Sequence, residues 1–169
     1  LDKLAKQSID EAFMHNIQSV RYYMNVEKNG EGLNLTIQVL DGIMCHNGEI
    51  VSNEYIPMKK DKDEFLKEFN ESYKNYKETK KCSPMTLEGC VVRISDIIGY
   101  IGRDIEDAIT LGQINREEIK EEITKVLGTT NKEIINTIIL DIINQSIDKP
   151  YIKMSEEVYN ALFALKKFN

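Results

Sequence analysis

The chain has 169 residues, 41% apolar and 30% charged, which suits one domain or slightly more with an ordinary core. Its net charge of −6 argues against general affinity for nucleic acid or for an anionic membrane, although a metal or a local basic cluster can still admit an anionic substrate. No apolar run approaches the roughly 18 residues that span a bilayer, and three cysteines without a Cys-x-x-Cys pair suit free thiols in a reduced, cytoplasmic setting.

Leu, Ile, Glu, Lys and Asn dominate, a mixture that favours helices. Residues 1–29 read as helical with a break near Phe13–Asn16, and acidic residues in the first stretch argue against a signal peptide. Asn29-Gly30-Glu31-Gly32 predicts a turn. Leu35, Val39, Leu40 and Ile43 recur at helical spacing and predict a helix over 34–45, stopped by Asn47-Gly48. Residues 47–60 read as loop. Over 59–81, Phe65, Phe69, Tyr73 and Tyr76 recur within a charged run, which is an amphipathic surface helix or a mobile insertion.

Ser83-Pro84 resets the chain, and 85–111 is the longest apolar-patterned stretch, with Thr86 as N-cap candidate and Gly112 as stop. Three further helices are expected over 115–127, 130–146 and 155–168. Glu117 and Glu118 favour the first turn of one, Thr130 and Ser155 cap the others, and Pro150 lies between them. The expectation is an all-α helical bundle.

Two features could carry chemistry. The helix over 85–111 is apolar almost all round from Val91 to Ile101, which predicts burial, yet Asp96 sits in its middle. Asp96, Tyr100 and Asp104 are spaced i, i+4, i+8 and share one face. A buried carboxylate needs a cation or strong donors. That leaves an internal salt bridge to Arg93 or Arg103, a metal ligand, or a face that is exposed after all. The second feature is histidine: the two present are His15 and His46, too few for a His-rich metal cluster, and each follows an apolar helical pattern and precedes Asn. Phosphate-loop, dinucleotide, zinc-protease and serine-hydrolase motifs are all absent from the sequence.

Three segments over residues 13–109 carry recognisable motifs in a fixed order. Phe13-Met14-His15-Asn16-Ile17-Gln18-Ser19-Val20-Arg21 is similar to F-x-H-N-x-Q-S-x-R. Gly32-Leu33-Asn34-Leu35-Thr36, continuing through Leu40-Asp41-Gly42-Ile43 to His46, is similar to G-L-N-L-T…L-x-G-I-x-x-H. Leu87-Glu88-Gly89-Cys90-Val91-Val92-Arg93-Ile94-Ser95-Asp96, continuing through Tyr100 to Asp104 and Asp107-Ala108-Ile109, is similar to L-E-x-x-V-V-R-x-A-D…D-x-x-D-A-I. Together the three resemble the dGTPase-like deoxynucleoside triphosphate triphosphohydrolases of the HD-domain phosphohydrolase superfamily.

The resemblance implies that Asp96 is the last ligand of a divalent metal ion, magnesium or manganese. It implies that His15 is the catalytic histidine, protonating the leaving group or orienting the attacking water, and that Tyr100 and Asp104 contact the sugar. Arg93 and His46 would be structural, His46 near the site. Water would attack the α-phosphorus of a deoxynucleoside triphosphate and release nucleoside and triphosphate, and relatives of this kind form homo-oligomers. Residues 1–112 would be the C-terminal part of the HD-type domain, with a charged insertion about 59–82, and 113–169 a helical extension. The family's first metal histidine and its His-Asp pair lie upstream of the first segment, and this sequence has no His-Asp dipeptide. The bundle is therefore expected to be incomplete at its N-terminus: part of a larger enzyme, inactive alone, or a non-catalytic module for nucleotide binding or assembly.

Overall fold

In a computed structural model, the structure describes residues 13–47, 51–79 and 81–168. The helix expected ahead of Phe13 lies outside them, as does Gly48 of the expected Asn47-Gly48 stop. The expected all-α class is observed, with one two-residue strand pairing added. The chain divides into two compact units, Leu1–Glu49 with Ile56–Arg93, and Ile50–Tyr55 with Ile94–Asn169.

The first unit holds α1 (His15–Asn25), α2 (Glu27–Gly30), α3 (Ile37–Cys45), α4 (Lys62–Lys74), α5 (Tyr76–Thr79) and the start of α6 (Leu87–Thr110). The break expected near Phe13–Asn16 is where α1 begins. The expected turn is a stretch of left-handed backbone at Lys28, Asn29, Gly30, Gly32 and Asn34. Gly32 is obligatory there: at φ +76°, an added Cβ would lie 2.2 Å from the Met24 carbonyl oxygen. Left-handed Asn34 also explains why α3 starts at Ile37, three residues later than its apolar spacing predicts.

Within the charged run the expected amphipathic helix is observed as α4, with Phe65 and Phe69 on its buried face. Asp61 accepts from the Asp63 and Glu64 amides while Glu64 caps the Asp61 amide, a reciprocal box that starts α4. Phe65 and Phe69 of α4 are buried with Ile17 and Val20 of α1, Leu40, Met44 and Cys45 of α3, and Cys82. These eight residues are the core of the unit, and extended backbone at Asn75 ends α4 earlier than the aromatic spacing suggests.

The second unit contains the rest of α6, a 3-10 turn at Arg116–Glu118, α7 (Glu121–Leu127), α8 (Asn131–Ser146) and α9 (Glu156–Phe168). The expected helix over 115–127 is split, because Ile119 and Lys120 adopt extended ψ angles of 122° and 137°. The kink lets Ile119 and Ile123 both turn inward. Part of the expected loop over 47–60 is β1 (Glu54–Tyr55), antiparallel to β2 (Ile152–Lys153) with Glu54 opposite Lys153. Thr130 and Glu133 form a second capping box at the start of α8, and the Ser155 hydroxyl accepts from the Val158 amide at α9, both as expected.

The ends of α6 follow its sequence closely. Thr86 Oγ1 accepts the Gly89 amide at 3.0 Å. At the other end Gly112, at φ +67°, closes a Schellman motif: the Gln113 amide donates to the Ala108 carbonyl and the Gly112 amide to Ile109. Its burial does not match the expectation of a helix buried all round. Cys90, Ile94, Ile97, Ile98, Ile101 and Ile105 form one buried stripe, whereas Val91 is 45% and Val92 49% exposed. A run of β-branched residues reads as apolar on every side, but a 3.6-residue turn places Val91 and Val92 off the stripe that packs.

Candidate active site

The first site feature grows from the packing of α1 on α3. Asn16, Ile17 and Val20 are the buried face of α1. Asn16 is 1% exposed, and its Nδ2 donates to the Met44 carbonyl at 2.5 Å, tying the first turn of α1 to the last turn of α3. Holding Asn16 inward turns its neighbour His15 outward, to an exposed position at the first residue of α1. The Ser19 hydroxyl donates back to the His15 carbonyl at 2.8 Å.

The same packing brings His46, the residue that ends α3, against His15. Their Nε2 atoms are 3.3 Å apart and their rings meet edge to face at 65°, with centroids 5.2 Å apart. His46 Nδ1 lies 2.6 Å from the Ile43 carbonyl oxygen. The sequence reading made His46 a structural residue near the site. The structure makes it a direct partner of His15 across 31 residues of chain.

Two open grooves flank this pair, both in the first unit. One, of about 740 Å³, is lined by His46, Ile43, Gly42, Val39, Thr86, Glu88 and Val92, among others, and is mostly apolar. The other, of about 450 Å³, is lined by His15 with Phe13, Gln18, Arg21, Tyr22 and Val26. Ser19 and Tyr23 line both. The smaller groove gathers the polar residues of the F-x-H-N-x-Q-S-x-R segment, His15, Gln18, Ser19 and Arg21. Its cation, Arg21, donates to the Tyr73 hydroxyl at 2.7 Å and stacks on that ring.

The first unit also holds a buried polar cluster that the sequence reading did not single out. Asp41 on α3 is fully buried. It accepts from Lys60 Nζ at 2.7 Å and from the Met85 amide at 2.6 Å, and Lys60 also meets Glu68 at 2.6 Å. Burial opposes charge on Lys60, but Cys45, Asp41 and Glu68 outweigh it and hold the ammonium above the ordinary lysine range. The neighbouring thiols diverge. The neighbouring Cys82, burial and the Asp41 charge push the Cys45 thiol up, whereas Cys45 and the Ser72 hydroxyl beside it draw the Cys82 thiol down.

Arg93 donates to the Cys82 carbonyl at 2.5 Å, a structural role, and not to Asp96. In the second unit Asp96, Tyr100 and Asp104 share one face of α6. Asp96 is half-buried, Asp104 is exposed and Tyr100 is 58% exposed. Asp96 is therefore not the isolated, fully buried carboxylate that the apolar run implied. Among the described residues no group of three or more His, Cys, Asp or Glu side chains converges as a metal site would require. Among them also, no helix is long and apolar enough to cross a membrane.

No family model and no solved structure matches the chain. Curated relatives do. The chain is 35% identical to a deoxyguanosinetriphosphate triphosphohydrolase-like protein of Clostridium perfringens (strain SM101 / Type A), over 92% of this chain and 39% of that protein. It is 32% identical to one of Clostridium tetani over 99% of this chain and 42% of that protein. It is 33% identical to one of Caldanaerobacter subterraneus subsp. tengcongensis over 99% and 39% respectively. The chain thus spans about two fifths of the length of these relatives. Over the two fifths that it spans, the chain belongs to the deoxyguanosinetriphosphate triphosphohydrolase-like family.

Proposed function

We propose that this chain is the His15-bearing part of a triphosphohydrolase that cleaves a deoxynucleoside triphosphate to deoxynucleoside and triphosphate. The observation that carries the reading is the presentation of His15: an exposed imidazole at the start of α1, braced by a second imidazole and opening onto a groove with Gln18, Ser19 and Arg21. An imidazole so held is suited to give a proton to the departing 5′-oxygen or to orient the attacking water. Tyr100 and Asp104, on one exposed face of α6, are suited to contact the sugar, with Asp104 a partner for its 3′-hydroxyl.

A divalent metal, magnesium or manganese, belongs to this reading. Asp96 is proposed as one oxygen ligand, and the described residues do not by themselves make a metal site. The remaining ligands are proposed to come from residues outside them, and the roles of His15, Tyr100 and Asp104 stand on their own chemistry. The active protein is proposed to be a homo-oligomer.

The test uses the full-length protein with manganese and a panel of the four deoxynucleoside triphosphates. Release of tripolyphosphate supports the reading, whereas release of pyrophosphate, or none, rejects it. His15→Ala should lower kcat by about 10²–10⁴, the usual worth of a positioned acid or base. Asp96→Ala should lose both bound metal and turnover, and retention of either removes its ligand role. Thermal stabilisation by nucleotide without hydrolysis would point instead to a non-catalytic binding module.

A further inference from the structure

The Ile43–His46–His15 contacts leave little freedom in where the protons sit. The Ile43 carbonyl can only accept, so at 2.6 Å His46 Nδ1 must carry a hydrogen. A neutral imidazole carries one N–H, so His46 Nε2 presents a lone pair. It faces His15 Nε2 at 3.3 Å, which must then be the donor. His15 is left with Nδ1 as its free nitrogen.

We propose that His46 is a positioning residue for His15: anchored on the Ile43 carbonyl, it holds His15 in the tautomer protonated at Nε2 and leaves Nδ1 to exchange protons with the ligand. This rests on the reading of His15 as the proton-handling residue, but the tautomer assignment stands independently of it. The surroundings support a positioning role. The Asn16 side chain pins the α3 end through Met44, and the Ser19 hydroxyl pins the His15 backbone. His46 itself lines the larger groove and not the His15 groove, so it acts through His15 rather than on a ligand there.

The chain has two histidines, so long-range ¹H–¹⁵N correlation spectra of the labelled 169-residue chain contain only two imidazoles. With both rings in their neutral form, His46 should show the proton on Nδ1 and His15 on Nε2. His46→Ala should move the His15 nitrogens toward averaged tautomers. His46→Gln, whose amide oxygen can accept from His15 Nε2, should preserve the wild-type His15 pattern. A His46 protonated on Nε2, or His15 nitrogens unchanged in His46→Ala, overturns the proposal.

In the full-length protein acting on a deoxynucleoside triphosphate, His46→Ala should lower kcat about 10- to 100-fold with KM changed less than about twofold, and His46→Gln should recover most of the loss. Full kcat in His46→Ala overturns the positioning role. If the wild-type protein hydrolyses no nucleotide while the tautomers are as stated, the functional reading fails and the tautomer assignment survives.

Discussion

Lys60→Met offers the sharpest test of how the first unit is held together. Asp41 is 1% and Lys60 5% exposed at their side chains, and the carboxylate takes two strong donors, Lys60 Nζ at 2.7 Å and the Met85 amide at 2.6 Å, with the Cys45 thiol 3.7 Å away. Methionine keeps the length of the lysine stem and removes the ammonium. Asp41 is then a buried charge with one strong hydrogen bond, a situation that costs about 3–5 kcal/mol. Glu68 contributes little to that penalty, because it is a third exposed and can turn to water. With a urea m-value on the order of 2 kcal/mol/M, the midpoint should fall by about 2 M.

The pKa of Lys60 is raised on folding, so the ion-pair contribution is complete below the ordinary value of 10.5 and fades only as pH rises beyond it; a titration at pH 7 measures all of it. Adding Asp41→Asn to Lys60→Met removes the stranded charge and should recover about 2 kcal/mol relative to Lys60→Met alone, with the Asp41→Asn single variant completing the double-mutant cycle. A Lys60→Met loss below about 1 kcal/mol, or a double variant no better than the single one, would refute the view of Asp41 as a buried ion that depends on Lys60. The outcome bears on the site, since Asp41 lies on the helix that carries His46.

Three further outcomes are expected. Gly32→Ala should cost about 2–4 kcal/mol, combining the left-handed penalty with the 2.2 Å approach to the Met24 carbonyl, while Gly112→Ala, with open space around it, should cost only about 1–2; equal melting-temperature losses would contradict this. Phe65→Ala should cost about 3–5 kcal/mol by urea titration, against under about 1 for the exposed Phe163→Ala; a small Phe65 effect would refute its place in the core of the first unit. Glu133, accepting from the Thr129 and Thr130 amides, has its carboxyl lowered to about 2. Its contribution to the α8 cap is therefore present above about pH 4.5 and lost as pH falls toward 2, and a carboxyl-carbon titration with a midpoint near 4.5 would reject it.

Of the candidate site, the helix face shared by Asp96, Tyr100 and Asp104 was legible from their spacing, and His15 stood out through the F-x-H-N-x-Q-S-x-R segment. Less legible was burial. The run Val91–Ile101 contains apolar residues on every side, and only packing decides which of them turn inward. Asp41 illustrates the same limit, since nothing local to it says that Lys60, of the many lysines, reaches it.

Local chemistry determined the helices themselves. Capping residues at Thr86, Thr130 and Ser155, the left-handed stop at Gly112 and the 3.6-residue apolar period are all written within a few residues of where they act, so chain order alone reveals them. The pairing of His15 with His46 and of Asp41 with Lys60 joins residues 31 and 19 positions apart. Those contacts exist because Asn16, Ile17 and Val20 bury α1 against α3 and because Lys60 follows the chain back over the same core. No local pattern encodes such an approach. The tertiary structure alone decided that the second histidine braces the first.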